Sequence, residues 1–181
     1  SNQAIDMGDL VSSFGGNWCD VKTVPTTADP IQQHTLRRGK TCEMTEQVEV
    51  SAGTTLVLSS EYGNDAMAVL SGGDSAGNRF FYVVGKLVLV DLILEDGKRQ
   101  DTGGAIRASD GATTHLIRSI IRKCESGRGG AVFAQRGAVL VLEDSTLESN
   151  KASTLGGGVY AVSGTKIQIK GISSIKNNRA T

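Results

Sequence analysis

Apolar and polar residues alternate in short runs along the second half of the chain, and the runs end at glycine or asparagine. Residues 165–169 are typical, because Ile167 and Ile169 alternate with Lys166 and Gln168. A period of two places successive side chains on opposite faces of a strand, whereas an amphipathic helix needs a period of 3.6. The pattern therefore predicts short β-strands separated by turns.

These runs recur at a nearly constant interval. Gly-Gly pairs begin at residues 103, 129 and 156, and a second glycine follows at positions 111, 137 and 164. A repeat of about 26 residues that holds three short strands is typical of a parallel β-helix. Each coil then buries its apolar side chains against the next coil at about 4.8 Å, and parallel crossovers favour right-handed coiling.

Alignment of the repeats predicts which side chains stack in columns. The predicted inward columns are Phe80/Ile106/Val132/Val159, Tyr82/Ala108/Ala134/Ala161, Leu87/Thr114/Leu140/Ile167, Leu89/Leu116/Leu142/Ile169 and Leu94/Ile121/Leu147/Ser174. Asn150 and Asn177 are predicted to be either inward amides that hydrogen-bond along the stack or left-handed turn residues. The outward column Asp91/Arg118/Asp144 alternates in sign, which predicts surface ion pairs.

One outward column is the candidate ligand-binding or partner-binding site. It consists of Phe81, Arg107, Phe133 and Tyr160. Aromatic rings on a flat sheet can stack on sugar faces or on a partner protein, and an arginine can add hydrogen bonds. The alternative is a ladder that packs on itself through cation–π contacts, or that is covered by the loop at residues 63–78.

The first third of the chain lacks the repeat. Residues 1–41 are predicted to form an irregular, partly helical cap, with a second short helix at residues 30–38. The residues that would share the face of the first helix are Ile5, Met7, Leu10 and Val11. Residues 42–181 then form the β-helix, with a first coil at 42–62 and an exposed loop at 63–78.

The end of the sequence lies within a repeat, and no cap follows the last predicted coil. An open coil presents unpaired backbone groups and would be a template for aggregation. We therefore expect either that the chain is a fragment of a longer solenoid or that a protein partner covers this end.

Three cysteines occur in the chain. Cys19 and Cys42 are 23 residues apart, and they are either a disulfide that stabilises the fold by about 3 kcal/mol or two separate buried thiols. Cys124 lies within a repeat and is predicted to be a small buried apolar residue. The spacing of cysteine and histidine does not match a zinc site, and we expect neither a metal nor a cofactor.

Composition and charge exclude several classes of protein. The formal net charge is zero, so a nucleic-acid partner is not expected. The sequence contains no apolar run of 18 residues, so no membrane span is predicted. Adjacent repeats do not align pairs of acidic residues, and we therefore predict no catalytic residues and lean against an enzyme.

The motifs GGAI, GGAV and GGGV, which alternate with LESN and IKNN, resemble the repeats of the chlamydial polymorphic membrane proteins. Similar repeats occur in extracellular β-helix proteins of the wider pectin-lyase-like group. The resemblance covers about residues 79–181 and implies a secreted, extracellular or cell-surface β-helix. The aromatic residue of the FxxN motif in that family is replaced here by Leu147 or Ile175 or a neighbour. Such motifs are specific for the fold and weak for function.

These observations favour a non-catalytic extracellular β-helix that serves as a scaffold or adhesive segment of a larger surface or filament assembly. One alternative is a fragment of a carbohydrate-active enzyme of the lyase or epimerase type. The other is a carbohydrate-binding module that uses the aromatic and arginine column. The expected partners are a protein or a continuation of the solenoid at the C-terminal coil, with a glycan as a further candidate.

Overall fold

The structure is a computed structural model that describes residues 18–73 and 77–181. These residues form a parallel β-solenoid in which every strand pairing is parallel, as the 26-residue repeat predicted. The only helix in the described ranges is α1 (Trp18–Val21). The predicted helical face of Ile5, Met7, Leu10 and Val11 lies outside the described residues.

The strands follow one another coil by coil. The first two coils hold β1 (Ile31–Leu36), β2 (Thr41–Glu43), β3 (Val48–Val50), β4 (Thr55–Ser60), β5 (Ala68–Ser71) and β6 (Phe81–Val83). The third and fourth hold β7 (Lys86–Val90), β8 (Leu92–Glu95), β9 (Lys98–Thr102), β10 (Ile106–Ala108), β11 (Thr113–Ile117), β12 (Ile120–Arg122), β13 (Glu125–Arg128) and β14 (Val132–Ala134). The rest are β15 (Val139–Glu143), β16 (Thr146–Glu148), β17 (Lys151–Leu155), β18 (Val159–Ala161), β19 (Lys166–Lys170), β20 (Ser174–Lys176) and β21 (Arg179–Ala180).

Stacked coils build four sheets along the solenoid axis. Sheet A is β1-β4-β7-β11-β15-β19, sheet B is β2-β5-β8-β12-β16-β20, sheet C is β3-β6-β10-β14-β18 and sheet D is β9-β13-β17-β21. The third, fourth and fifth coils therefore have four strands each, and the prediction of three strands per coil holds for the first two coils but not for these. Sheet D was missed because β9 reads KRQDT, a polar run whose only buried residue is Thr102. Such a run carries no apolar alternation.

The helix predicted at residues 30–38 is wrong, because this segment contains β1. β1 pairs in parallel with β4 over six positions, from Ile31↔Thr55 to Leu36↔Ser60. The solenoid therefore includes residues that the sequence placed in the cap segment 1–41. The segment predicted as an exposed loop at 63–78 likewise contains β5, which pairs with β2 and β8. In both places, pairing with the neighbouring coil outweighs local propensity.

Two of the predicted inward columns are confirmed along their whole length: Leu87/Thr114/Leu140/Ile167 and Leu89/Leu116/Leu142/Ile169. The column Ile106/Val132/Val159 is also correct, but Phe81 occupies its first position instead of Phe80. Val83 likewise replaces Tyr82 in the column of alanines. The cause is the corner between β6 and β7, which has two residues where later corners between sheets C and A have four.

The last coil shows a second shift of one residue. Ile175, and not Ser174, pairs with Leu147, because the corner between β19 and β20 has three residues instead of two. Ile172 is the residue that bulges outward, with 87% of its surface exposed. For the same reason Asn178 replaces Asn177 above Asn150, and its Oδ1 accepts a hydrogen bond of 2.9 Å from the Asn150 backbone N–H. Asn177 has a left-handed backbone (φ 55°).

The Gly-Gly pairs have a clear steric cause. Gly129 has φ +68°, a conformation that costs other residues energy. A Cβ atom on its neighbour Gly130 would overlap the carbonyl oxygen of Gly157 in the next coil. The first glycine therefore makes the corner, and the second allows the backbones of successive coils to approach.

The N-terminal end of the stack is closed by α1. Trp18 is 2% exposed, its ring stacks against Phe81 at a centroid distance of 6.5 Å, and its Nε1–H donates to the Thr23 carbonyl at 3.0 Å. Cys19 and Cys42 form a disulfide with a Cα–Cα distance of 5.4 Å, which is the pairing considered from the sequence. This bond ties α1 to β2 and so holds the tryptophan over the first coil.

Candidate functional site

Four of the strands of sheet C carry the aromatic and arginine stripe. Its members are Tyr82 on β6, Arg107 on β10, Phe133 on β14 and Tyr160 on β18, which lie side by side in parallel register. The sequence placed Phe81 in this column, and that assignment is wrong. Phe81 is fully buried in the core, and the short corner after β6 brings Tyr82 to the outer face instead.

The stripe is a continuous stack of rings and guanidinium groups. The rings of Phe133 and Tyr160 stack at 5.6 Å with an angle of 19° between their planes. The Arg107 guanidinium lies 5.5 Å from the Tyr82 ring centre and 5.9 Å from that of Phe133. Arg128, at the end of β13, lies 5.8 Å from Phe133 and 5.9 Å from Tyr160. Sequence reasoning missed Arg128 because it belongs to sheet D, whose strands carry no periodic signal.

Much of the stripe is satisfied within the molecule. Phe133 is only 6% exposed, and the Arg107 Nε–H donates to Gln135 Oε1 at 3.1 Å. Tyr82 and Tyr160 are partly exposed at the two ends of the stripe. The self-packing ladder considered from the sequence is therefore formed. The surface left for a ligand is that of the two tyrosines, the exposed Arg128 and the part of Arg107 that is not buried. These groups can stack and hydrogen-bond, which suits binding.

Three arginines converge on one carboxylate beside the stripe. Asp101 accepts from Arg99 Nε at 3.0 Å and from the buried Arg79 at 3.2 Å, and Arg107 lies 3.9 Å away. Partial burial acts to raise the pKa of Asp101, but the Thr102 backbone hydrogen bond and the Arg79 and Arg99 guanidinium groups outweigh it and lower the pKa. Arg79 also donates to the Thr102 carbonyl at 2.6 Å. The cluster thus ties β9 to the segment that precedes β6.

An open groove of about 440 Å³ crosses sheet D. The charged residues in its lining are Lys98, Arg99 and Glu125, and Ser126 and Ser153 add hydroxyl groups. A glycosidase needs two carboxylates across the scissile bond, and this lining offers one. The groove can therefore bind polar groups, but it does not present that catalytic pair.

A histidine and a carboxylate meet on the outer face of sheet A, which sequence reasoning missed. His115 Nε2 lies 3.2 Å from Glu143 Oε2, because the two residues occupy neighbouring columns and meet on a diagonal. Burial lowers the pKa of His115 even though Glu143 acts to raise it, and Lys170 and Lys86 lower it further. The pair joins two coils.

Within residues 18–73 and 77–181, no cluster of three or more His, Cys, Asp or Glu side chains is arranged to hold a metal ion. In those same ranges, no helix has the length and apolar character that crossing a membrane requires. Cys124 is fully buried, and burial raises the pKa of its thiol to about 12. A thiol with that pKa is a packing group and not a nucleophile.

The second surface of interest is the C-terminal end face, defined here as the outer side of β19, β20 and β21. Its inward positions are Ile167, Ile169 and Ile175, which are 40%, 56% and 43% exposed. The residues below them in the same columns, Leu140, Leu142 and Leu147, are 0% exposed. Residues 162–181 contain four lysines and arginines and no acidic residue. The face is thus apolar at its centre and basic at its rim.

Comparison with known proteins finds no matching family model, no matching curated protein and no matching solved structure. The fold therefore defines the class of this protein, a parallel β-solenoid of about five coils.

Proposed function

We propose that this chain is a non-catalytic structural segment of an extracellular or cell-surface assembly, related to the polymorphic membrane proteins or similar pectin-lyase-like β-helices. The observation that carries the proposal is the regular stack of parallel coils. Inward side chains form continuous apolar columns along the stack, and outward charges pair from one coil to the next. Repeats of this kind bury a continuous core between neighbouring coils, which suits an extended structural element.

The charged residues on the outside support a structural role, because they pair between coils. Arg118 donates to Asp91 at 2.8 Å, Arg122 lies 2.7 Å from Glu95, and Lys176 lies 3.4 Å from Glu148. Surface pairs of this kind add about 0–1 kcal/mol each. Opposite charges directly above one another also favour one register of stacking over its alternatives.

The disulfide supports the extracellular part of the proposal. Cys19 and Cys42 are bonded between the helix that closes the stack and the first coil. Structural disulfides persist in secreted and surface proteins and are rare in the reducing cytosol. The Gly-Gly repeats, which resemble those of secreted passengers, agree with this compartment.

The test is made on the protein in its native source. Intact cells are labelled with a membrane-impermeant reagent, thiols are alkylated before lysis, and the protein is recovered with an antibody after cross-linking. We expect a labelled protein, an intact Cys19–Cys42 bond by mass spectrometry, and cross-links to other chains of the assembly. An unlabelled monomer with reduced cysteines would overturn the proposal.

A second candidate function is carbohydrate binding through the stripe, favoured by the partial exposure of Tyr82 and Tyr160. Glycan-array binding that is lost in both Tyr82→Ala and Tyr160→Ala would support it. Tyr62→Ala is the matched control, because Tyr62 is fully exposed and does not belong to the stripe. Binding that survives all three substitutions would reject the stripe as the site.

A further inference from the structure

We infer that the outer corner between sheets C and D binds a sulfated polysaccharide, and that the guanidinium groups of Arg107 and Arg128 hold its sulfate esters. The inference rests on carbohydrate binding as the candidate function and specifies the class of sugar. Both arginines lie on strands that pair on both sides, because β10 lies between β6 and β14 and β13 lies between β9 and β17. Their surroundings therefore belong to the interior of the stack and not to its ends.

Basic residues outnumber acidic residues on the strands of these two sheets. The basic residues are Lys98, Arg99, Arg107, Arg128, Lys151 and Arg179, and the acidic residues are Glu49, Asp101 and Glu125. The whole chain has no net charge, so positive charge is concentrated on this side of the solenoid. Clustered charge of one sign attracts ligands of the opposite sign.

At this corner several arginines share one carboxylate, which differs from the pairing elsewhere on the surface. At the corner between sheets A and B, Arg118 pairs with Asp91, and on sheet B Arg122 pairs with Glu95. Asp101 instead has three arginines at 3.0 to 3.9 Å. Positive charges that share one negative charge repel one another, so a further anion at this corner would lower their energy.

The hydrogen bonds of the two arginines leave donors for a ligand. Arg128 is exposed, and within residues 18–73 and 77–181 its guanidinium group meets neither a carboxylate nor a hydrogen-bond acceptor. Arg107 uses its Nε–H on Gln135, and its Nη1 lies 3.9 Å from Asp101, so its Nη2 group has no acceptor in the same part of the chain. Contact with the Phe133 ring holds both guanidinium groups, so a ligand would order little further side-chain motion.

Guanidinium groups in this arrangement suit a sulfate ester better than a carboxylate. A sulfate ester spreads its charge over three terminal oxygens in a tetrahedral arrangement, so it accepts hydrogen bonds from several directions and holds water less strongly than a carboxylate. A guanidinium group is also weakly hydrated, so little hydration is lost when the two groups pair. Arg107 and Arg128 lie 5.9 Å and 5.8 Å from the centre of the Phe133 ring, so one polymer chain that crosses this ring meets both.

The surface beside the arginines suits a sugar chain. The partly exposed Tyr82 ring lies 5.5 Å from the Arg107 guanidinium and can stack against a sugar ring. Across the corner, the open groove of sheet D is lined by Gln100 and Ser153, whose polar groups can bond to sugar hydroxyls. Nucleic acids also use arginines and aromatic rings, but the disulfide indicates an extracellular compartment and so favours a polysaccharide.

The test compares three polymers that share one backbone: dextran sulfate, carboxymethyl dextran of equal charge density, and uncharged dextran. Binding of each to the full chain is measured by biolayer interferometry, with a single-stranded oligonucleotide as a further polyanion. The test variant is Arg107→Gln with Arg128→Gln. The matched control, Arg37→Gln with Lys40→Gln, removes the same charge from two exposed residues between β1 and β2. Circular dichroism verifies that each variant is folded.

We expect dextran sulfate to bind about tenfold more tightly than carboxymethyl dextran, and uncharged dextran not to bind. The test variant should bind dextran sulfate at least about tenfold more weakly than the unchanged chain, because it loses charge-assisted hydrogen bonds. The control variant should stay within about twofold of the unchanged chain, because exposed charges away from the site are screened.

The inference is overturned if the sulfated and carboxylated polymers bind equally, if dextran sulfate does not bind, or if the oligonucleotide binds more tightly. Equal losses in the test and control variants would also overturn it, because general charge would then explain the binding. Neutral sugars that bind on the glycan array and are lost in Tyr82→Ala would keep the carbohydrate candidate while the sulfate inference fails. The surface-labelling test of the structural role is independent of all these results.

Discussion

The two ends of the solenoid finish the same columns of side chains in opposite ways. Gln32 and His34 stand at the N-terminal positions of the two columns that end in Ile167 and Ile169. Trp18 covers the N-terminal end and the disulfide holds it there. At the C-terminal end the columns stay apolar to the last coil. The comparison shows that polar residues stand in these columns where the Trp18 ring covers the stack, whereas Ile167 and Ile169 continue the apolar columns of the interior.

The largest effect is expected from opening the closed end. Trp18→Ala removes a ring that is 98% buried and leaves a cavity above Phe81, so we expect the free energy of unfolding to fall by about 3–5 kcal/mol. Denaturant unfolding followed by circular dichroism measures the loss. Tyr62→Ala, at a fully exposed aromatic residue, should leave the midpoint unchanged. Equal midpoints for the two variants would show that Trp18 does not close the stack.

Reduction of the Cys19–Cys42 disulfide should cost about 3 kcal/mol, because the bond closes a loop of 23 residues. The cost arises because the unfolded chain gains conformational freedom when the bond is reduced. Reduction also frees α1 from β2. The fluorescence of Trp18, the only tryptophan, should shift to longer wavelength as its end loosens. The variant Cys124→Ala, which keeps the disulfide, should respond to reductant in the same way, whereas Cys19→Ser should not respond.

Shortening a side chain to alanine should cost more stability in the interior of a column than at its C-terminal position. Leu142→Ala, at a position that is 0% exposed, is expected to cost about 2–5 kcal/mol. Ile169→Ala, one coil further along the same column and 56% exposed, should cost less than about 1.5 kcal/mol because water already reaches the side chain. Similar losses for both variants in thermal unfolding would mean that the last coil is buried in solution.

The closed end should respond to acid. His34 lies 3.1 Å from Thr23 Oγ1, and burial lowers its pKa below 6.5 even though Asp29 acts to raise it. The folded state then favours the neutral ring, so the stabilisation is complete above pH 6.5 and is lost as the pH falls through the lowered pKa. Trp18 fluorescence should report this loosening. His34→Gln should remove this transition, even though His115 still titrates in the variant. A transition that is unchanged in the variant would mean that another group causes it.

The smallest change in stability is expected from giving the open end the residues of the closed one. Ile167→Gln combined with Ile169→His replaces two partly exposed isoleucines, so the free energy of unfolding should change by less than about 1 kcal/mol. Binding of a hydrophobic dye to the chain should nevertheless fall. The matched pair Lys166→Gln with Lys170→Gln should leave dye binding unchanged. Undiminished dye binding in the first variant would place the exposed apolar surface elsewhere.

The repeat could be predicted from the sequence wherever coil length is constant. Leu87 to Ile167 and Leu89 to Ile169 were assigned correctly because each coil contributes an aliphatic residue or threonine at a regular interval. Phe81 and Ser174 were misplaced because the corners beside them are one or two residues shorter or longer, and corner length leaves no trace in the alternation. A slip of one residue moves a side chain to the opposite face, which is why Tyr82 was missed.

The remaining features depend on contacts between distant segments. β1 reads IQQHTL and has no apolar alternation, and it is a strand because β4 lies beside it. Arg128 reaches the stripe from another sheet, and His115 meets Glu143 across two columns. No local pattern specifies these contacts. The sequence left two alternatives for Cys19 and Cys42, a disulfide or two separate thiols, because their spacing along the chain does not determine whether they are close in the fold.

The direction of the backbone hydrogen bonds also determines how the molecule responds to force. In a stack of parallel coils these bonds lie along the long axis, so tension applied between the ends of the chain loads one rung at a time and peels coils in sequence. The bond between Cys19 and Cys42 blocks this peeling at the first rung. The segment from Cys19 to Cys42 should therefore stay closed under load, while the strands that follow β2 separate one rung at a time.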